Sequence, residues 1–189
     1  QEGSQQPLYY ALGALLTFWI DTGDMGDVRQ PNPHARAGEI TPDRDNVNLV
    51  IHHPDRERLP WTGTVLAVHI VRLFSVLLGV WAVALTWLLV HELFPERDWI
   101  PLAATAVHAF TPMYLFIASS INNDNLTVPL CSLALLLMIR RLKATEVFSG
   151  QGPWRRDLGL GVVLGLALLT KSSGLGLLPF VGATLAWEA

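Results

Sequence analysis

From Leu73 to Val90 the chain runs eighteen residues without a charged side chain. At 1.5 Å per residue that is about 27 Å of helix, close to the ~30 Å of a bilayer's hydrocarbon core. Such a run has few homes other than a membrane, where a helix satisfies all its own backbone groups. Two further runs repeat the pattern. Residues 99–121 contain no Lys, Arg, Asp or Glu, and residues 122–139 hold Asp124 as their one charge. The charged residues crowd into 21–58, 92–98 and 140–157. Only 15% of the chain is charged, against about 25% in a soluble domain. The expected fold is therefore all-α, a polytopic helical membrane protein with spans near 66–92, 99–120, 123–140, 154–170 and 174–187. Residues 1–62 form a separate outer-face region and 63–189 the transmembrane region.

Punctuation sharpens these spans. Pro95 stops the first, Pro101 sits in the first turn of the second, and Pro112 falls inside it and predicts a kink. The third opens on the cluster Asn122-Asn123-Asp124-Asn125 and closes before Arg140. Lys171, followed by Ser172, Ser173 and Gly174, interrupts the last apolar stretch, which reads as two short helices around a break or one interrupted helix. Upstream, residues 8–20 are apolar but span only about 20 Å. With Pro7 before them and Tyr9, Tyr10 and Trp19 among them, they read as a helix lying on the membrane surface, with a short span as the alternative. Residues 21–62 form a long polar loop, in which Asn48 to His52 reads as a short strand.

The basic residues orient the chain. Arg140, Arg141, Lys143, Arg155 and Arg156 place segment 140–156 in the cytoplasm. Alternation then puts the 21–62 loop, the Asn122–Asn125 cluster and Lys171 outside, together with His69 and Arg72. A site on the outer face follows. A net charge of −3 gives no basic face for a nucleic acid, and the single Cys131 allows no disulfide framework. Neither an initiator Met nor a signal peptide opens the chain, and it stops as an apolar run ends. Both ends read as cuts through a longer protein.

Four segments, in order, resemble a known family. EGSQQPLYYALGALL is similar to the motif of a Gln or Lys before Pro-Pro and an aromatic pair in the first outer loop of polyprenyl-phosphate-sugar glycosyltransferases. RLFSVLLGVWAVALTWLLVHELFPER resembles their next span. AVHAFTPMYLFIASSINNDNLTVPLCSLALLLMIRRL resembles the span pair with an acidic residue at its outer junction, and GLGVVLGLALLTKSSGLGLLP the segment that follows. The resemblance is to the GT-C class of membrane glycosyltransferases, family 39, near the protein mannosyltransferase branch. It implies a bacterial plasma-membrane enzyme that moves a sugar, with inversion, from a polyprenyl-phosphate carrier to an acceptor outside. The implied partners are that donor and membrane lipids, with the acceptor open and no nucleic acid. No cofactor is specified, and dependence on a divalent metal stays open. Two departures stand out. Gln6-Pro7 replaces Pro-Pro, and the family's catalytic Asp, often in an Asp-Glu pair, is expected upstream of Gln1.

Glycosyl transfer needs a carboxylate to take the acceptor's proton and cations for the departing phosphate. Asp124 is the best acid present and matches the family's acidic junction residue; capping a helix N-terminus is its alternative role. Arg72 and His69, three apart on one helix face, read as phosphate ligands or as an interfacial Arg and its neighbour. Lys171 reads as a phosphate contact or an interfacial anchor. The resemblance adds Gln5 and Tyr9 as carrier-facing, while Tyr9 equally suits an aromatic belt. His52 and His53 with Asp55 and Glu57 make a poor metal set, because adjacent strand residues point to opposite faces. His91 and His108 read as packing residues, and the Asn125-Leu126-Thr127 sequon abuts the membrane. Two other functions remain open, a transporter component or a non-catalytic scaffold. A transporter would place its charges near the bilayer midplane, whereas these lie near span ends. Cysteine labelling of intact cells tests the topology: Ile40→Cys should react from outside and Gly150→Cys only after permeabilisation, and the reverse pattern would invert the orientation.

Overall fold

The structure is a computed structural model that describes residues 5–35, 49–144 and 153–187; for 144, 153–156 and 185–187 it describes the backbone alone. The described residues are helical, in the order α1 (Leu8–Thr17), α2 (Met25–Val28), α3 (Pro54–Glu57), α4 (Gly63–Leu93), α5 (Trp99–Phe110), α6 (Pro112–Ala118), α7 (Asp124–Ala144), α8 (Pro153–Thr170), a 3-10 helix (Ser172–Leu177) and α9 (Leu178–Trp187). The fold is thus that of an all-α membrane protein. Helices α4 and α7 are each long and apolar enough to cross a bilayer, and α5 with α6 makes a third span if the bent pair is counted as one. At residues 48–52 no strand forms among the described positions. Val50 makes a single bridge to Pro31, too little pairing to sustain a strand, and Asn48 lies outside the description.

Two compact units divide the chain. The first comprises residues 1–13 and 72–189 and holds most of the helices. Pro112 lacks the N–H that would continue α5, and Thr111 is extended at φ −66°, ψ 118°. The axis turns by 64° there. This bend is held against α4 by polar contacts. Tyr114 donates its hydroxyl hydrogen to the Gly79 carbonyl at 2.7 Å, and His108 Nδ1 lies 2.7 Å from Thr86 Oγ1. Gly79 is required by closeness: a Cβ there would stand 3.1 Å from the Ala118 Cβ.

Helices α7, α8 and α9 build the apolar core of this unit. Ala134, Met138, Leu160 and Leu177 are buried together, with Cys131 and Leu135 against them. Small residues bring the backbones close. Ala167 is fully buried, and a Cβ on Gly174 would meet its carbonyl carbon at 3.3 Å. At its C-terminal end α7 is tied on both sides. Arg140 Nε bonds Glu92 at 3.1 Å at the end of α4, and Arg141 pairs with Asp157 at the start of α8. Leu73, Leu77 and Val80 on α4 stay 60% exposed or more, the pattern of a surface that meets lipid.

The second unit, residues 14–71, is organised around the start of α4. The first N–H groups of a helix have no partner within it. Asp24 supplies one from the loop: its Oδ1 accepts both the Thr64 N–H at 2.9 Å and the Thr64 hydroxyl at 2.6 Å. Gly63 makes the approach feasible. Its φ is +55°, and a Cβ would lie 2.4 Å from Asp24 Oδ2. Nearby, Trp61 stacks on His69 with ring centroids 3.7 Å apart, and His52 Nδ1 lies 3.2 Å from Glu57 Oε1.

Those Thr64 hydrogen bonds, the hydroxyl's first, hold the Asp24 carboxyl below its ordinary value of 3.8. A carboxyl depressed in the fold contributes stability that is complete above the unfolded value and lost as pH falls through the folded one. The Asp24 contribution to protection of the 21–62 loop should therefore be lost as pH falls below about 3.8, whereas Asp24→Asn, with no carboxyl to titrate, should be more protease-sensitive already at neutral pH. Gly63→Ala should destabilise the unit at neutral pH by at least about 1–2 kcal/mol, the cost of a left-handed alanine. Equal protection of the Gly63→Ala loop against protease would contradict the strained geometry.

Candidate functional site at the broken span

The polar cluster at the start of α7 spends its side chains unevenly. Asn122 Oδ1 accepts the Asp124 N–H at 2.9 Å and so closes the turn into the helix. Asn125 Nδ2 donates to the Ser120 carbonyl at 2.8 Å, holding the end of α6. Asn123 is buried and reaches away, its Nδ2 donating to the Thr170 carbonyl at 3.2 Å. Asn122 thus closes the turn into α7, and the Asp124 carboxylate is engaged elsewhere.

That carboxylate meets Lys171. Lys171 stands between α8 and the 3-10 helix, in extended backbone at φ −161°, ψ 138°. The extended residue throws its side chain off the helix line, and Nζ comes within 2.5 Å of Asp124 Oδ1. Their side chains are 38% and 30% exposed, so the pair is reachable and still partly shielded from water. Two residues 47 apart in sequence thereby form an acid and a cation on one spot. Chemically, the pair offers a proton acceptor beside a phosphate-binding ammonium.

The other sequence-derived candidates have separate placements. Arg72 is exposed and forms no ion pair with a described residue, which leaves its five N–H donors available. Gln5 Oε1 accepts the Tyr10 hydroxyl at 2.5 Å. Tyr9 is fully buried, its hydroxyl 2.6 Å from Ser75 Oγ and its ring stacked on Phe74. It docks α1 onto α4 and presents no surface to a ligand. No hydrogen bond or ion pair links Gln5, Tyr9 or Arg72 to Asp124 or Lys171. His69, in the second unit, is held by the Trp61 ring and by the Val65 carbonyl at 2.8 Å from Nδ1. The residues that sequence reasoning missed are Asn123, as a bridge to α8, and Thr170, as its acceptor. The Asn run marks a helix start, but nothing local tells which of its amides reaches across to another helix.

By itself the structure defines an all-α membrane protein with an acid and a lysine paired beside a helix break. The match to known families narrows that class. Residues 64–188, about two thirds of the chain, match the family described as dolichyl-phosphate-mannose-protein mannosyltransferase, and the chain belongs to it. Membership makes it a membrane glycosyltransferase of the mannosyltransferase type. No curated protein and no solved structure matches the chain.

A double-mutant cycle tests the pair. Lys171→Met and Asp124→Asn should each lower stability in detergent, and the double variant should lose less than their sum. The coupling should be about 0.5–1 kcal/mol, since both groups are partly exposed. Strictly additive losses would mean that the contact holds nothing together.

Proposed function

We propose that the chain forms part of an enzyme that moves a sugar from a polyprenyl-phosphate carrier to an acceptor hydroxyl on the outer face of a bacterial plasma membrane. The observation that carries this reading is the Lys171–Asp124 pair at a helix break in a mannosyltransferase-family chain. Further support comes from α7. Asp124 and Arg140 lie at its opposite ends, about 24 Å apart at 1.5 Å per residue. With the basic end in the cytoplasm, the pair faces outward.

In this reading the acceptor oxygen attacks the anomeric carbon as the bond from that carbon to the phosphate oxygen breaks. Asp124 is the carboxylate in this chain that takes the acceptor's proton. The prenyl phosphate leaves with its negative charge, which Lys171 and Arg72 stabilise. Lys is a point charge and Arg a planar fork suited to two parallel hydrogen bonds with phosphate. Gln5 contributes to donor binding, and Tyr9 supports it by docking α1. The apolar tail lies along the lipid-facing helices.

The test is transfer from a short-chain prenyl-phosphate sugar by the intact protein in membranes. Arg72→Ala should cost about 1.5–3 kcal/mol, the range for hydrogen bonds to a charged group. That corresponds to roughly 10–100-fold in kcat/KM for donor. Arg72→Lys should lose less, and Lys171→Ala less than Arg72→Ala. A wild-type rate for Arg72→Ala at subsaturating donor would reduce Arg72 to an interfacial anchor.

A further inference from the structure

A helix that stops within a membrane protein leaves its last carbonyls in need of partners. Helix α8 stops at Thr170. In an unbroken helix the Thr170 carbonyl would receive the N–H of Gly174. That N–H instead goes to the Lys171 carbonyl at 3.0 Å, as the chain tightens into its 3-10 turn. The Thr170 carbonyl receives Asn123 Nδ2. Asn123 is 4% exposed, so water has little access to replace the amide if it is removed.

The neighbours of this bond matter more than the bond itself. Asn123 precedes Asp124, and Thr170 precedes Lys171. One side-chain hydrogen bond therefore joins the two backbones from which the acid and the ammonium depart. The remaining amides of the cluster serve local backbone, at Ser120 and at Asp124 itself. A second contact fixes Asn123 in turn, because its carbonyl accepts the Thr127 hydroxyl at 3.0 Å and the Thr127 N–H at 3.1 Å.

We propose that Asn123 is the positioning residue of the Lys171–Asp124 pair: its amide locks the end of α8 to the start of α7 and sets where the ammonium meets the carboxylate. The inference rests on the reading of that pair as the reacting end of the site, and its test separates the two. Acylation of Lys171 by a water-soluble amine reagent, read by peptide mass spectrometry on the protein in its membrane, reports the pair without any transfer reaction. Asn123→Leu, similar in size but without the amide, should raise Lys171 labelling about two- to fivefold, the span expected when a partly exposed ion pair is released. Asp124→Asn should give a similar rise. Asn123→Gln keeps the donor and should return labelling toward the wild-type rate, and transfer should follow the same order. If Asn123→Leu fails to accumulate, Asn123→Ser should show the same direction. Unchanged Lys171 labelling in a folded Asn123→Leu or Asn123→Ser protein overturns the positioning role. Wild-type transfer by Asp124→Asn overturns the reading of the site, while a labelling rise in the Asn123 variants would still establish that Asn123 holds the pair.

Discussion

A membrane helix is free to break only where something else satisfies the backbone it exposes. In this chain, at the break at Lys171, Asn123 takes the Thr170 carbonyl that the 3-10 turn abandons. Much else depends on that substitution of partners. It allows a charged residue to leave the helix axis, brings two distant segments together, and leaves Asp124 facing an ammonium instead of its own helix terminus. The core of Ala134, Leu160 and Leu177 stands beneath this junction and keeps α7, α8 and the 3-10 turn in register.

The long apolar helices α4 and α7 and the bent α5–α6 pair were legible because uncharged length is a strong signal and proline is a strong stop. The expected kink at Pro112 appears as a 64° bend, since Pro112 cannot donate the bond that would carry α5 onward. The run at 48–52 misled for the opposite reason. A short apolar run of Leu49, Val50 and Ile51 suits a strand, yet a strand needs a neighbour over several residues, and Pro31 offers Val50 one bridge. Local pattern carries no record of whether that neighbour exists.

Within the candidate site, residue types were readable and their partners were not. Asp124 and Lys171 stand out as lone charges in apolar stretches, which costs free energy and so draws notice. Asn123 lies in a run in which Asn122 closes the helix start that such a run suggests, and its different role arises only when α8 arrives. Tyr9 shows the same limit. Its aromatic and hydroxyl character suited a wet, lipid-edge position, but Ser75 on α4 offers its hydroxyl a buried partner, and the ring follows it inward.

The Tyr114 contact with the Gly79 carbonyl has a consequence of another kind. Its acceptor belongs to the main chain, so a substitution on α4 breaks it only by holding the two backbones apart. Residue 79 has to stay small, and the lipid-facing residues around it can drift among apolar types without loosening the seam. Shape, rather than chemical identity, is what this stretch of sequence must transmit to its descendants.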